Sequence, residues 1–150
     1  MSALAQWQLE VINVTDCVEW HVVASFAEHG VNPGFAVIEN DSRIFHFAQR
    51  YLLAINHKGT TPAVAATAEA IAVDATGKWC GYRLHGSGAR KVLAAGAHTD
   101  LVLNGRECAA LSLFDCPVVL LLVADADEIW VPASYAESLC DALNKVGKRL

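Results

Sequence analysis

The chain has 150 residues, 54% of them hydrophobic and only 18% charged, with a net charge of −5. That length suits a single domain, residues 1–150, with a substantial core, and the absence of any Lys/Arg run that could track phosphates speaks against nucleic-acid binding. The positive mean hydropathy of +0.32 does not come from a membrane span, because the longest apolar run, Pro117 to Ala124, has eight residues against the roughly 20 a spanning helix needs. An average globular chain carries about 25% charge. The shortfall here suits either a tight monomer or a chain that covers part of its surface with a partner.

The opening stretch, MSALAQWQLEVINV, has no positive n-region and no clean apolar h-region. No signal peptide is expected, and cytoplasm is the expected compartment. Five cysteines, Cys17, Cys80, Cys108, Cys116 and Cys140, are odd in number and widely spaced. They read as reduced, mostly buried thiols.

Residues 7–26 alternate between polar and apolar in two runs, QLEVINV and WHVVASF, which predict strands. Asn32-Pro33-Gly34 is a turn signal. FAVIE (35–39) and RIFHF (43–47) flank Asn40-Asp41-Ser42 as a hairpin, and Arg50 to Asn56 follows as the next strand. Thr61-Pro62 opens a predicted helix, with Thr61 at the N-cap, Pro62 at the first helical position and Val64, Ala68 and Ile71 on one face. WCGYRL (79–84) predicts a strand. It leads through Gly86-Ser87-Gly88 into a helix with Ala89, Val92 and Leu93 inward and Gly96 as its stop.

Residues 107–114 and 117–123 predict two more strands, and the unbroken apolar run Val118 to Val123 predicts burial of both faces. Ser134 and Glu137 have capping-box spacing. Ala136, Leu139, Cys140, Leu143 and Val146 then trace a helical stripe that Gly147 can end, with Lys145, Lys148 and Arg149 at the negative end of the dipole. About three helices with hairpin-rich strands give an α+β fold on a mixed, mostly antiparallel sheet.

Residue types alone assemble no catalytic constellation. Gly86-Ser87-Gly88 lacks the full dinucleotide spacing and any Walker lysine, so it reads as a capped turn. His21, His29, His46, His57, His85 and His98 show no ligand spacing. No cysteine sits in a setting that favours its thiolate. Asp125, Asp127 and Glu128 cluster at an expected hairpin tip, where paired carboxylates could bind a metal or transfer protons. The plainer expectation is a solvated turn, whose geometry Asp tolerates.

Three segments carry a family resemblance. YRLHGSGARKVLAAGAHTDL (82–101) resembles a segment of the aminomethyltransferase-like folate-binding proteins, and YLLAIN (51–56) resembles the strand that precedes it there. Residues 108–143 resemble the gamma subunit of heterotetrameric sarcosine oxidase: VVLLLV, ADADE, IWV and VPASYAESL follow its order of strand, acidic turn, aromatic strand and helix. The resemblance covers residues 35–146. Residues 1–34, read as N-terminal strands, match it poorly.

The resemblance implies an α+β domain of the folate-binding type, one subunit of a flavoenzyme. In such a complex an alpha subunit binds NAD and carries a folate-binding domain. A beta subunit holds FAD and helps hold covalent FMN, and a delta subunit binds zinc. Sarcosine is oxidatively demethylated to glycine with release of hydrogen peroxide, and the one-carbon unit passes to tetrahydrofolate. The gamma subunit has no flavin, no metal and no catalytic residue of its own, and in isolation it is expected to self-associate through its docking surface. A related amine dehydrogenase, acting for example on N-methylglutamate, fits the same resemblance.

The alternative implied is a stand-alone tetrahydrofolate-binding or aminomethyltransferase-like protein, with a remnant folate pocket formed by Tyr51, Asn56 and Glu128. Here the sequence departs from the folate binders' G-E-x-G-F/Y-E motif: Glu128 can stand for the last glutamate, but the first falls near Ala124 and the glycines are missing. Loss of that carboxylate would remove a charge-assisted pterin contact worth about 1.5–3 kcal/mol.

Overall fold

The computed structural model of the chain describes residues 7–22, 35–39, 42–48, 51–56, 70–97, 108–121 and 127–149. Its strands are β1 (Gln8–Ile12), β2 (Cys17–Val22), β3 (Phe35–Glu39), β4 (Ser42–Ala48), β5 (Tyr51–Ile55), β6 (Ala70–Asp74), β7 (Trp79–His85), β8 (Cys108–Leu113), β9 (Cys116–Leu121) and β10 (Asp127–Pro132). Helix α1 spans Ala89–Gly96; a 3-10 turn, Ala133–Tyr135, leads into α2, Ala136–Arg149. The chain divides into two compact units: Met1–Asn13 with Trp79–Asn104 and Ala109–Leu150, and Val14–Lys78 with Gly105–Cys108. Among the described residues no helix is long and apolar enough to cross a membrane.

The first unit holds a sheet of order β1-β7-β10-β9-β8, in which β7 pairs antiparallel with β1 and β10, and β10 with β9. Strand alternation sends Tyr82, Leu84, Val118, Leu120, Ile129 and Val131 to one face. There they pack with Ala89, Val92 and Leu93 of α1 and Leu139 and Leu143 of α2. The predicted inward residues of α1 are all buried, and of the predicted α2 stripe Leu139 and Leu143 are buried while Ala136, Cys140 and Val146 are half-buried. On the opposite face Val119, Leu121 and Trp130 are also buried, so the apolar run 118–121 is enclosed on both sides as its lack of alternation predicts.

Trp130 is fully buried and stands opposite Gly81 in the β7–β10 register. A Cβ at position 81 would lie 2.5 Å from the indole ring, so only glycine leaves room for it. A second close approach joins α1 to the β8–β9 hairpin. The hairpin turn uses Phe114 and Asp115, both at positive φ (50° and 62°), without a glycine. Such a two-residue turn needs positive φ at both positions, which a bulky residue rarely adopts. It is held because the Phe114 N–H donates to the Gly96 carbonyl at 2.9 Å and the phenyl ring lies where a side chain at 96 would be.

Four expectations are corrected. Ser134 lies inside the 3-10 turn rather than at the helix N-cap, so the capping box does not form. Gly147 does not end α2, which runs on to Arg149; a glycine in a last turn weakens a helix by about 1 kcal/mol without breaking it. Ile71 belongs to strand β6, not to a helical face: antiparallel pairing with β2 overrides the helical preference of Ala70 and Ala72. The described residues form two α-helices rather than about three. The expected turn at 32–34 and the expected helix start at Thr61-Pro62, with Val64 and Ala68, lie outside the described residues.

The second unit holds a sheet of order β3-β4-β5-β2-β6, antiparallel at every junction. The predicted 35–47 hairpin forms, with Glu39 opposite Ser42 and Phe35 opposite His46. β5 follows as its next strand, central in the sheet, and Leu52 to Ile55 are fully buried. Asn56 closes β5 at φ 55°. Its N–H donates to the Asp16 carbonyl at 2.9 Å, and its Oδ1 accepts from the Thr15 N–H at 2.7 Å and the Thr15 hydroxyl at 3.0 Å.

These contacts predict that Gly81→Ala and Gly96→Ala each destabilise the chain by about 1–3 kcal/mol, the usual effect of overpacking. Gly77→Ala, where no atom lies within 4 Å but φ is +86°, should lose about 1 kcal/mol from backbone strain alone. Urea unfolding of the three variants measures the difference.

Candidate functional site

The acidic segment was expected as a solvated turn, and the structure overturns that for the two of its three acids that are described. Asp127 and Glu128 are the first residues of β10 and are buried, at 5% and 3% exposure. Adjacent strand residues point to opposite faces, so each carboxylate needs its own partner. Arg90 of α1 donates to Asp127 through Nε at 2.9 Å and Nη2 at 3.0 Å, a two-pronged pair. On the other face Glu128 accepts from Trp130 Nε1 at 3.2 Å and from Arg83 Nη2 at 3.4 Å. Asp125 lies outside the described residues.

The Glu128 contact is the buried end of a row across three strands. Register places Glu10, Arg83 and Glu128 side by side on β1, β7 and β10. Arg83 Nη1 is 3.5 Å from Glu10, and Glu10 lies 2.7 Å from His85 Nε2. The hydrogen bond from His85 lowers the Glu10 carboxyl below the ordinary range, with Arg83 adding to it. Charges therefore alternate from the exposed Glu10 to the buried Glu128, and each carboxylate is neutralised where it leaves water.

This arrangement is structural chemistry: it lets a strand that begins with two carboxylates enter a sheet core. The two arginines come from 45 and 37 residues upstream, and nothing local to Asp127-Glu128 announces them. A signal exists only once β7 is paired with β10, when Arg83 falls opposite Glu128. The Gly86–Gly88 segment forms a turn into α1, whose N-cap Gly88 provides no side-chain cap. Gly86 takes φ 105°, and the Ala89 and Val92 N–H groups donate to the Gly86 and Gly88 carbonyls, each at 3.2 Å.

The remaining candidates are dispersed. All five cysteines are free thiols. Burial pushes Cys17 up to about 12, with Glu19, Asp16 and Asp74 adding to the shift, and burial likewise raises Cys80 and Cys116. The Cys108 thiol donates to the His46 carbonyl at 3.8 Å. His21 is exposed, lies 3.4 Å from Glu19 and meets the Tyr51 ring edge-on at 5.2 Å. His46 is buried in β4, while His29, His57 and His98 lie outside the described residues. Among the described residues no three His, Cys, Asp or Glu side chains gather as a metal site.

Of the residues expected in a remnant folate pocket, Tyr51 and Asn56 belong to the second unit and Glu128 to the first. Asn56 fastens the loop at Thr15, and Glu128 is engaged by Arg83 and Trp130.

Arg90→Ala should leave Asp127 buried without its two donors and lower stability by about 1–3 kcal/mol in urea unfolding. Cys17 yields a second prediction. Its folded pKa is raised to about 12, so the folded state keeps the proton that the unfolded chain releases from about pH 8.5 upward. The stabilisation is fully present below that pH and is lost as pH rises toward 12. Iodoacetamide at pH 8 should label Cys17 only after denaturation, as read by peptide mass spectrometry.

No family model and no curated protein matches this chain. Solved structures do. The heterotetrameric sarcosine oxidase from Corynebacterium sp. U-96, in complex with pyrrole 2-carboxylate, contains a chain that superposes with TM-score 0.73 at 19% identity, over 95% of this chain and 84% of that one. Glycine cleavage system aminomethyltransferase T from Bartonella henselae matches with TM-score 0.61 at 15% identity, over 92% of this chain but 45% of its own length. This chain thus spans less than half of the aminomethyltransferase. Both likenesses are of fold: the described sheets and helices are arranged as in a sarcosine oxidase chain and in part of an aminomethyltransferase.

Proposed function

We propose that this chain is a non-catalytic, gamma-type subunit of a heterotetrameric flavoenzyme of the sarcosine oxidase kind. The observation that carries the reading is the extent of the structural match. It takes in 95% of this chain and 84% of a chain from a heterotetrameric enzyme, against less than half of the aminomethyltransferase. The site geometry supports the passive role, since the carboxylates that looked fit for chemistry are engaged by Arg83, Arg90 and Trp130. In this reading alpha-, beta- and delta-type partners hold NAD, tetrahydrofolate, FAD, FMN and zinc. Oxidative demethylation of sarcosine, or of another N-methyl amine, proceeds on them in the cytoplasm, and this chain contributes a scaffold.

The test is affinity capture of the tagged chain from its own cells. A flavin-containing complex that releases hydrogen peroxide with sarcosine or N-methylglutamate is the expected result, with the isolated chain inert. Capture that brings no flavoprotein would sink the proposal.

The likeness to aminomethyltransferase T favours a second reading, a stand-alone tetrahydrofolate-binding or aminomethyltransferase-like protein that uses Tyr51, Asn56 and Glu128. Against it stands the engagement of Glu128 and Asn56 in contacts within their own units. Calorimetric titration with tetrahydrofolate decides: on this reading heat appears and Glu128→Gln diminishes it, whereas no heat at about millimolar ligand removes the reading.

A further inference from the structure

Among the described residues, β6 stands at one edge of the second unit's sheet. β6, Ala-Ile-Ala-Val-Asp, pairs with β2 on one side, and among the described residues nothing pairs with its other side. Residues Ile71 to Asp74 are all exposed, Ile71 at 64% and Val73 at 38%. Edge strands are ordinarily blunted by lysine, proline or a bulge. β6 has no Lys, no Pro and an unbroken register from Val18↔Asp74 to Val22↔Ala70.

The direction of its backbone groups follows from one hydrogen bond. The Ala75 N–H donates inward to the Cys17 carbonyl at 2.8 Å. Antiparallel ladders alternate, so Val73 and Ile71 also turn their backbone groups toward β2, while Asp74, Ala72 and Ala70 turn theirs outward. Ile71 and Val73 share the sheet face of His21 and Glu19, their partners in register. A strand added here would gain outward hydrogen bonds at Ala72 and Asp74 and an apolar shelf on one face.

We propose that β6 is a strand-addition site for an extended segment of a different chain, apolar at alternate positions and carrying a Lys or Arg where it passes Asp74. Charge selects that occupant. Asp74 ends β6 and Glu19 of β2 stands opposite Val73, so the C-terminal half of this edge is acidic. Like charge argues against a second copy, which would bring the same Asp74-bearing strand and a net charge of −5 to this edge. The proposal deepens the subunit reading and rests on it for the source of the partner.

Two variants of the full chain, captured from its own cells, supply the test. Ala72→Pro removes an outward N–H and leaves the β2 ladder intact; Ile71→Thr with Val73→Thr keeps the backbone and removes the apolar shelf. Wild-type complex should show amide hydrogen exchange across residues 70–74 slowed about tenfold or more relative to the isolated chain. Both variants should weaken partner retention by about tenfold or more, with melting temperature and circular dichroism of the isolated chain confirming the fold. Should Ala72→Pro fail to fold, the double threonine variant carries the same comparison.

Protection at β6 with a partner that holds no flavin keeps the strand-addition site and rejects the subunit reading. A flavoprotein partner retained by both variants, without protection at β6, rejects the site and keeps the subunit reading. A symmetric homodimer in light scattering that Ala72→Pro abolishes overturns the choice of occupant, and capture of no partner overturns both.

Discussion

The first unit depends on neutralising two carboxylates where β10 enters its sheet. β10 lies between β7 and β9, and every residue from Asp127 to Val131 is buried. A strand in that position cannot begin with two bare anions, because desolvating an unpaired carboxylate outweighs what the following apolar residues return. Arg90 from the helix and Arg83 from the neighbouring strand solve the problem on opposite faces. They thereby fix where β10 starts, and with it the register that brings Trp130 over Gly81. Helix position, strand register and indole burial form one coupled arrangement.

Much of the fold was legible in local pattern. The unbroken run at 118–121, the inward stripes of both helices and the 35–47 hairpin need only side-chain period and turn chemistry, and each forms where those rules place it. The legible part ends where a residue's state is set from afar. Asp127 and Glu128 read as solvated because an acidic cluster between two apolar strands looks like a hairpin tip; their burial is decided by arginines about forty residues away. Ile71 illustrates the same limit in reverse, since its spacing from Val64 and Ala68 mimicked a helical face while pairing with β2 made it a strand. Ser134 and Glu137 had the right spacing for a cap, but the 3-10 turn after Pro132 moved the helix start past Ser134 and left Glu137 in the first turn.

Acidic residues sit at the joint where a catalytic or ligand-binding carboxylate was first sought, but their hydrogen-bonding capacity is turned inward, to a guanidinium and an indole. Burial likewise favours the protonated thiols of Cys17, Cys80 and Cys116. What the described residues offer outward is sheet edge and surface, in keeping with the role proposed for the chain beside flavin-bearing partners.

The hairpin turn at Phe114-Asp115 constrains how sequences of this fold can diverge. Phenylalanine occupies a left-handed position that glycine or asparagine would fill with less strain, and it does so by lying on Gly96. The two positions are therefore a unit of inheritance. A lineage that enlarges residue 96 must surrender the aromatic ring at 114, and one that adopts a glycine turn frees 96 to vary. In an alignment of true relatives, small-at-96 with aromatic-at-114 should travel together. That pairing would mark descent more reliably than either residue alone, at identities where the rest of the sequence no longer does.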